Sequence, residues 1–237
     1  MREPEIEAAW HGLTACESCE IRGLVLFAGL ESADFSGIHL PIQDMWLPPG
    51  SVLYRSGDRA EYLYTVREGL IKLEQSLSCG TNRIVNLLSQ GHVSGLEAMA
   101  AEYYEHTAVA LQSSAICKIP KAVVVRLAPK LLGQLMKKWH ESVVNTQECL
   151  RELTSGSARQ RVARLFLLLP AITKTRCHLF GRDDVAALLG VTTETASRTV
   201  SDLKRAGAVV EVAPNIFDLN VSELERIASG KTALEHS

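Results

Sequence analysis

The chain has 237 residues, of which 46% are hydrophobic and 22% charged, the makeup of an ordinary globular protein with room for one large domain or two small ones. Its formal net charge of −2 announces no nucleic-acid partner in bulk, though it leaves room for a local basic surface. No apolar run approaches the roughly 20 residues that cross a bilayer, and "MREPEIEAAWHG" lacks the apolar segment of a secretory signal; no membrane partner and a cytoplasmic location are expected.

Residues 1–30 form an arm that carries Cys16 and Cys19, two residues apart. The spacing suits half of a metal or redox site. A zinc site would need a second thiol or imidazole pair of matching spacing, and the chain has none. A thioredoxin-like pair would need a βαβ context, which the arm lacks. Six cysteines in a long chain without a secretion signal are expected to be reduced thiols rather than a disulfide scaffold.

Residues 31–128 read as many short strands broken by turns. "SVLYRSGD", "YLYTVREGLIKLEQSL", "RIVNLLSQGHVSG" and "TAVALQSSAICKIP" carry alternating or β-rich patterns. Gly punctuates them, "SCGTN" makes a hairpin tip, and Pro120 closes the series. Regular short strands of this kind predict an antiparallel sandwich or barrel.

The period then changes. Pro129 suits the first turn of a helix, and residues 129–156 are expected to form one. Leu132, Met136, Trp139, Val143, Thr146, Leu150 and Leu153 follow at alternating spacings of four and three, an a/d seam over three heptads. A helix packed on its own domain would carry a broader stripe. A narrow seam flanked by Lys137, Lys138, Glu141, Gln147 and Glu148 suits a helix that pairs with its twin, with Thr146 weakening the pairing. His140 belongs to the surface or the seam edge. Cys149, beside Leu150, is expected to pack as a small hydrophobe.

Residues 157–237 open with the amphipathic "ARQRVARLFLLLP". "RDDVAALLG" predicts a short helix with acids in its first turn, where the helix dipole favours them, closed by Gly190. Thr192 or Thr193 can cap a second helix that runs to about Ala206. Ala196, Val200 and Leu203 make its inward stripe, while Glu194, Ser197 and Arg198 share a polar face near its start. Two helices around a tight Gly-containing turn make a helix-turn-helix, whose second helix enters the major groove by its N-terminal residues. "AVVEVAPNIFDL" adds two strands and a turn, a wing. Glu accepts from cytosine, Arg clamps guanine in bidentate fashion, and Ser bonds base or phosphate. Double-stranded DNA is the expected partner. Such readers work as dimers on paired half-sites, and the seam helix supplies a homodimer. Cys177 is placed in a loop ahead of this motif.

In this order, the elements resemble the Crp/Fnr family of bacterial transcription regulators over nearly the whole chain. The likeness rests on "GSVLYRSGD", "LYTVREGLIKLEQ", "GHVSGLEAM", "AICKIP", "ARQRVARLFLLL" and above all "LGVTTETASRTVSDLKRAG". It implies an α+β fold: an N-terminal antiparallel β-roll (cupin-like, cyclic-nucleotide-binding-like), a long dimerisation helix and a C-terminal winged helix-turn-helix. Glu194, Ser197 and Arg198 match the Glu-x-x-Ser-Arg of the Fnr branch, which implies a TTGAT-type inverted repeat as target. RNA polymerase is the implied partner if the protein activates, through "GHVSGLEAM" and the "SLSCGTN" tip.

The resemblance also bears on the signal. The Fnr branch holds a [4Fe–4S] cluster on three arm cysteines and one central cysteine; Cys16, Cys19 and Cys117 match three of these, while Val25 stands where the third arm cysteine is expected. Three readings stay open: a cluster with an unusual fourth ligand (Cys79, His11, a carboxylate or an exogenous group); a cluster-free thiol sensor; and a protein that senses otherwise, through haem for example, or, like FixK-type relatives, not at all. A cyclic nucleotide is not expected. Glu97 could mimic the acid of the cyclic-AMP branch, but His106-Thr107 stands near where its Arg-Ser pair would be, and a phosphate without an arginine is poorly held. A cupin-like enzyme would need clustered histidines, and His92 and His106 form no His-x-His pair, so no enzymatic activity is expected.

Overall fold

The computed structural model describes residues 26–31, 34, 42–78, 80–169, 171–173 and 175–230. The expectations for His11, Cys16, Cys19, Val25 and Cys79 lie outside the described residues. The chain forms two compact units, one from residues up to 75 together with 86–145, the other from 76–85 and 146 onward.

Among the described residues the first unit is a β-roll of eight strands: β1 (Gln43–Leu47), β2 (Val52–Tyr54), β3 (Tyr62–Glu68), β4 (Ile71–Ser76), β5 (Asn82–Leu88), β6 (Val93–Ser94), β7 (Thr107–Ala110) and β8 (Ser114–Pro120), of which β4 and β5 reach into the second unit at their joined ends. They make two four-stranded sheets, β1-β8-β3-β6 and β2-β7-β4-β5, with every reported pairing antiparallel. Period-2 patterning explains the layers: on β5, Ile84, Asn86 and Leu88 turn inward, and on β8 Ser114 and Ile116 do. Gly69, which closes the β3–β4 turn, is required there. Its φ is +93°, and a Cβ would come within 2.6 Å of the Ser113 carbonyl. Between the sheets, Tyr54 stacks on Tyr104 with ring centroids 3.8 Å apart, and its hydroxyl pairs with Ser94 Oγ at 2.5 Å.

Pro120 ends β8 and starts a short helix, α1 (Lys121–Arg126), that the sequence reading did not separate from the strands. The long helix follows as α2 (Ala128–Thr154).

His92 sits in the turn after β5, where its Nδ1 meets the Ser89 carbonyl at 3.1 Å. Burial holds its pKa below 6.5, aided by the nearby Lys138 ammonium. The unfolded chain therefore binds the proton more readily, so stability falls as pH drops below 6.5. His92→Gln is expected to flatten denaturant-unfolding stability between pH 7 and 5 relative to the wild type; an unchanged slope would remove His92 from this role.

The second unit contains α3 (Ala158–Leu168), β9 (Ala171–Thr173), β10 (Arg176–His178), α4 (Arg182–Leu189), α5 (Thr193–Arg205), β11 (Val209–Ala213), β12 (Ile216–Leu219) and α6 (Val221–Ser229). Its strands form one sheet in the order β11-β12-β10-β9. The wing is thus half of a four-stranded sheet. Cys177 lies not in a loop but on β10, fully buried opposite Phe217, and burial pushes its thiol up to about 11. It is a core residue of its unit. Phe166 and Phe217 meet edge to face at 5.3 Å at the centre of the unit. Ser157 and Gln160 form a capping box at the start of α3. Arg164 on α3 donates to the carbonyls of Glu152, Ser155 and Ala228, tying the end of α2 and the end of α6 to the same helix.

Candidate nucleic-acid interface

The motif is built from local rules. Asp183 and Asp184 stand in the first turn of α4, and Gly190, in the left-handed region at φ 65°, terminates it. Thr192 is the N-cap of α5: its hydroxyl accepts from the Thr195 N–H at 3.2 Å. Thr193 donates from its hydroxyl to Asp183 Oδ1 at 2.7 Å, fixing the turn between the two helices. Thr192→Ala is expected to cost about 1 kcal/mol of stability, read by thermal or urea unfolding, because one helix-end N–H loses its acceptor.

Ala196, Val200 and Leu203 bury against the unit, and so does Thr199, whose hydroxyl donates to the Thr195 carbonyl at 2.7 Å. The opposite face carries Glu194 and Arg198, both exposed, and the half-buried Ser197. These three share one open edge near the N-terminus of α5, together with exposed Thr192 and Thr193. Farther along, Lys204 pairs with Glu211 of β11 at 2.5 Å and holds its carboxyl below the usual range, which braces the wing against the helix. Arg161 donates to the Leu189 carbonyl at 2.5 Å, anchoring the last turn of α4.

On α2, the apolar residues expected in a seam are mostly uncovered. Leu132, Met136 and Leu150 are 63%, 64% and 63% exposed, and Trp139 and Val143 are 40% and 43% exposed. Thr146 is exposed as well. Leu153 departs from the row: it is 1% exposed and belongs to the core of its own chain. The row is thus uncovered through Leu150 and ends at Leu153, where the end of α2 packs in its own chain. His140 is exposed, and Cys149 is half-buried.

Of the proposed sensor residues, the described ones are Cys117, Glu97 and His106. Cys117 lies on β8, on the outward side, opposite Asp44 of β1. Its thiol donates to Asp44 Oδ1 at 3.2 Å, and Arg67 pairs with the same carboxylate at 3.1 Å. Glu97 Oε1 and His106 Nδ1 face each other at 3.9 Å, both atoms buried and neither hydrogen-bonded among the described residues. Among the described residues no group of three or more His, Cys, Asp or Glu side chains is placed to hold a metal ion.

Sequence comparison agrees with this geometry. The cyclic nucleotide-binding domain family matches residues 44–130, and the Crp-like helix-turn-helix domain family matches residues 160–227. The transcriptional activator protein Anr of Pseudomonas protegens is 25% identical over 241 residues, covering 97% of this chain and 98% of that protein. The fumarate and nitrate reduction regulatory protein of Vibrio cholerae is 25% identical over 224 residues, covering 90% of each. Among solved structures, FixK2 from Bradyrhizobium japonicum shares the fold with a TM-score of 0.72 at 22% identity, covering 81% of this chain and 100% of that one.

The winged helix-turn-helix behind a β-roll defines a DNA-binding transcription regulator, not an enzyme. The chain belongs to the Crp/Fnr family of such regulators.

Proposed function

We propose that the protein is a homodimer that reads a TTGAT-type inverted repeat with Glu194, Ser197 and Arg198, and that its DNA binding responds to oxygen or redox state. The observation that carries the reading is the open polar edge at the start of α5, with Glu194 and Arg198 exposed above a fully buried Ala196 and Leu203. Thr192 and Thr193 flank that edge, exposed, and would contact backbone phosphates. The uncovered row from Leu132 to Leu150 supports pairing of α2 with its twin, which sets two recognition helices a helical turn apart. If the protein activates transcription, RNA polymerase is a further partner.

Cys16, Cys19 and Cys117 are the residues that would hold a [4Fe–4S] cluster. The donor chemistry at Cys117 fits: its sulfur is half-exposed on the outer side of the sheet, where a thiolate can meet an external group, and Asp44 beside it offers a carboxylate. Such a cluster, when bound, supplies sensitivity to oxygen. The chain's own part is to present Cys117 on rigid β8 and to keep Arg67 on Asp44, so that the local charge stays balanced. The names of the relatives, an Anr activator and a fumarate and nitrate reduction regulator, point the same way. A thiol sensor without iron and a haem protein are the alternatives that a visible spectrum separates. Against a cyclic nucleotide stands His106, which takes the place of the arginine that a phosphate would need and faces Glu97 at 3.9 Å.

Selection from a random duplex pool tests the DNA side. The proposal expects enrichment of paired TTGAT-like half-sites about 10 base pairs apart, centre to centre. A single half-site, or no enriched sequence, would contradict it.

A further inference from the structure

The chain crosses between its two compact units at three places: between residues 75 and 76, between 85 and 86 within β5, and between 145 and 146 within α2. Asn86 and Asn145, the first-unit residues at the last two crossings, are hydrogen-bonded to each other. Asn145 Nδ2 donates to Asn86 Oδ1 at 2.8 Å and to the Leu87 carbonyl, also at 2.8 Å. Asn86 Oδ1 in addition accepts the Leu87 N–H at 2.8 Å, and Asn86 is buried to 3% exposure. Among the described residues β5 is the edge strand of its sheet, so no further strand pairs with its outer side there. Asn145 therefore stands in for a neighbouring strand and bonds the long helix to that edge.

Seven residues earlier on the same side of α2, Lys138 repeats the device. Its ammonium, on a side chain only 5% exposed, donates to the Gly91 carbonyl at 3.0 Å and pairs with Glu141 at 2.7 Å. Leu131, seven residues earlier again, is buried. An apolar row alone would let the helix slide and roll along the sheet edge. Two buried polar contacts fix one rotation and one translation, because any other leaves buried amide or ammonium groups unsatisfied. Buried polar groups serve register in this way at a cost in stability.

We propose that the Asn86–Asn145 clasp, with the Lys138–Gly91 contact behind it, sets the rotational register of α2, and with it the direction in which the Leu132–Leu150 row is presented to the partner chain. These are positioning residues for DNA binding; none of them touches DNA. The inference rests on the dimer reading above.

The test compares full-length wild type with Asn86→Ala, Asn145→Ala and the double variant. Each is measured by sedimentation and by affinity for a duplex that the wild type selects from a random pool. The expected result is a dimeric wild type, single variants with unchanged far-UV circular dichroism and DNA affinity lowered about 10-fold, and a double variant no worse than Asn145→Ala alone, because that change already removes the bond that Asn86→Ala breaks. Asn145→Leu, which fills the space without the hydrogen bonds, is expected to show the same loss and guards against a variant that fails to fold. A dimeric wild type whose variants bind DNA unchanged, or whose losses add, overturns the clasp alone. A monomeric wild type overturns the dimer reading and the clasp together.

Discussion

Arg198→Ala is expected to weaken binding to the selected duplex by about 1–3 kcal/mol, roughly 5- to 150-fold, and to relax base preference at one position of each half-site. Arg198 is exposed on the open edge of α5, while Ala196, Val200 and Leu203 hold the helix from behind, so the truncation removes a contact and leaves the fold alone. Binding to unrelated duplexes should fall far less, because phosphate contacts supply that part of the affinity and Arg198 is one cation among several. A salt titration separates the two contributions. A base reader changes the specificity ratio; a phosphate contact changes the salt slope by about one and leaves the ratio as it was. Equal losses on selected and unrelated duplexes would move Arg198 from base reading to phosphate binding.

Val143→Asp should abolish the dimer. Val143 lies near the middle of the uncovered row on α2, 43% exposed in the single chain, so a twin helix would bury it. A two-fold pairing brings its own copy close. The substitution then sets two carboxylates into an apolar seam without partners, a cost on the order of 3–5 kcal/mol for each uncompensated buried charge. Sedimentation should give the mass of one chain where the wild type gives two. Specific DNA affinity should collapse with it, since two half-sites bound by one molecule gain over two separate events. The monomer should still melt cooperatively, because Val143 touches solvent rather than the core of its own chain. A variant that remains dimeric would place the interface elsewhere.

Much of this was legible in the sequence where one local rule dominated. Gly190 ends one helix by backbone conformation, as expected, and of the two candidate caps, Thr192 and Thr193, the structure has Thr192 start the next. The stripe of Ala196, Val200 and Leu203 follows from helical period. The reading failed where partners are distant in sequence. β9 and β10 are three-residue strands in "AITKTRCH", too short to show alternation, and they are strands because β12 pairs with β10. Cys177 lies on β10 rather than in the expected loop for the same reason. α6 was missed although Asn220 caps it by accepting the Glu223 N–H, and Leu224 and Ile227 give the helical spacing. Leu153 fits the heptad on paper, but only the packing of α3 and the end of α2 shows that it faces inward. The Asn86–Asn145 bond joins residues 59 apart and leaves no mark on either local pattern.

We propose that redox state governs DNA binding through Cys117 and the arm cysteines. The most direct measurement takes protein purified without oxygen and records its visible spectrum, its iron and sulfide content and its affinity for the selected duplex, before and after air, for wild type and Cys117→Ala. The account predicts a brown wild type with about four irons per chain that bleaches in air and loses DNA affinity at least 10-fold, and a colourless variant that binds alike in both conditions. A wild type whose affinity is the same before and after air, whatever its colour, would contradict it.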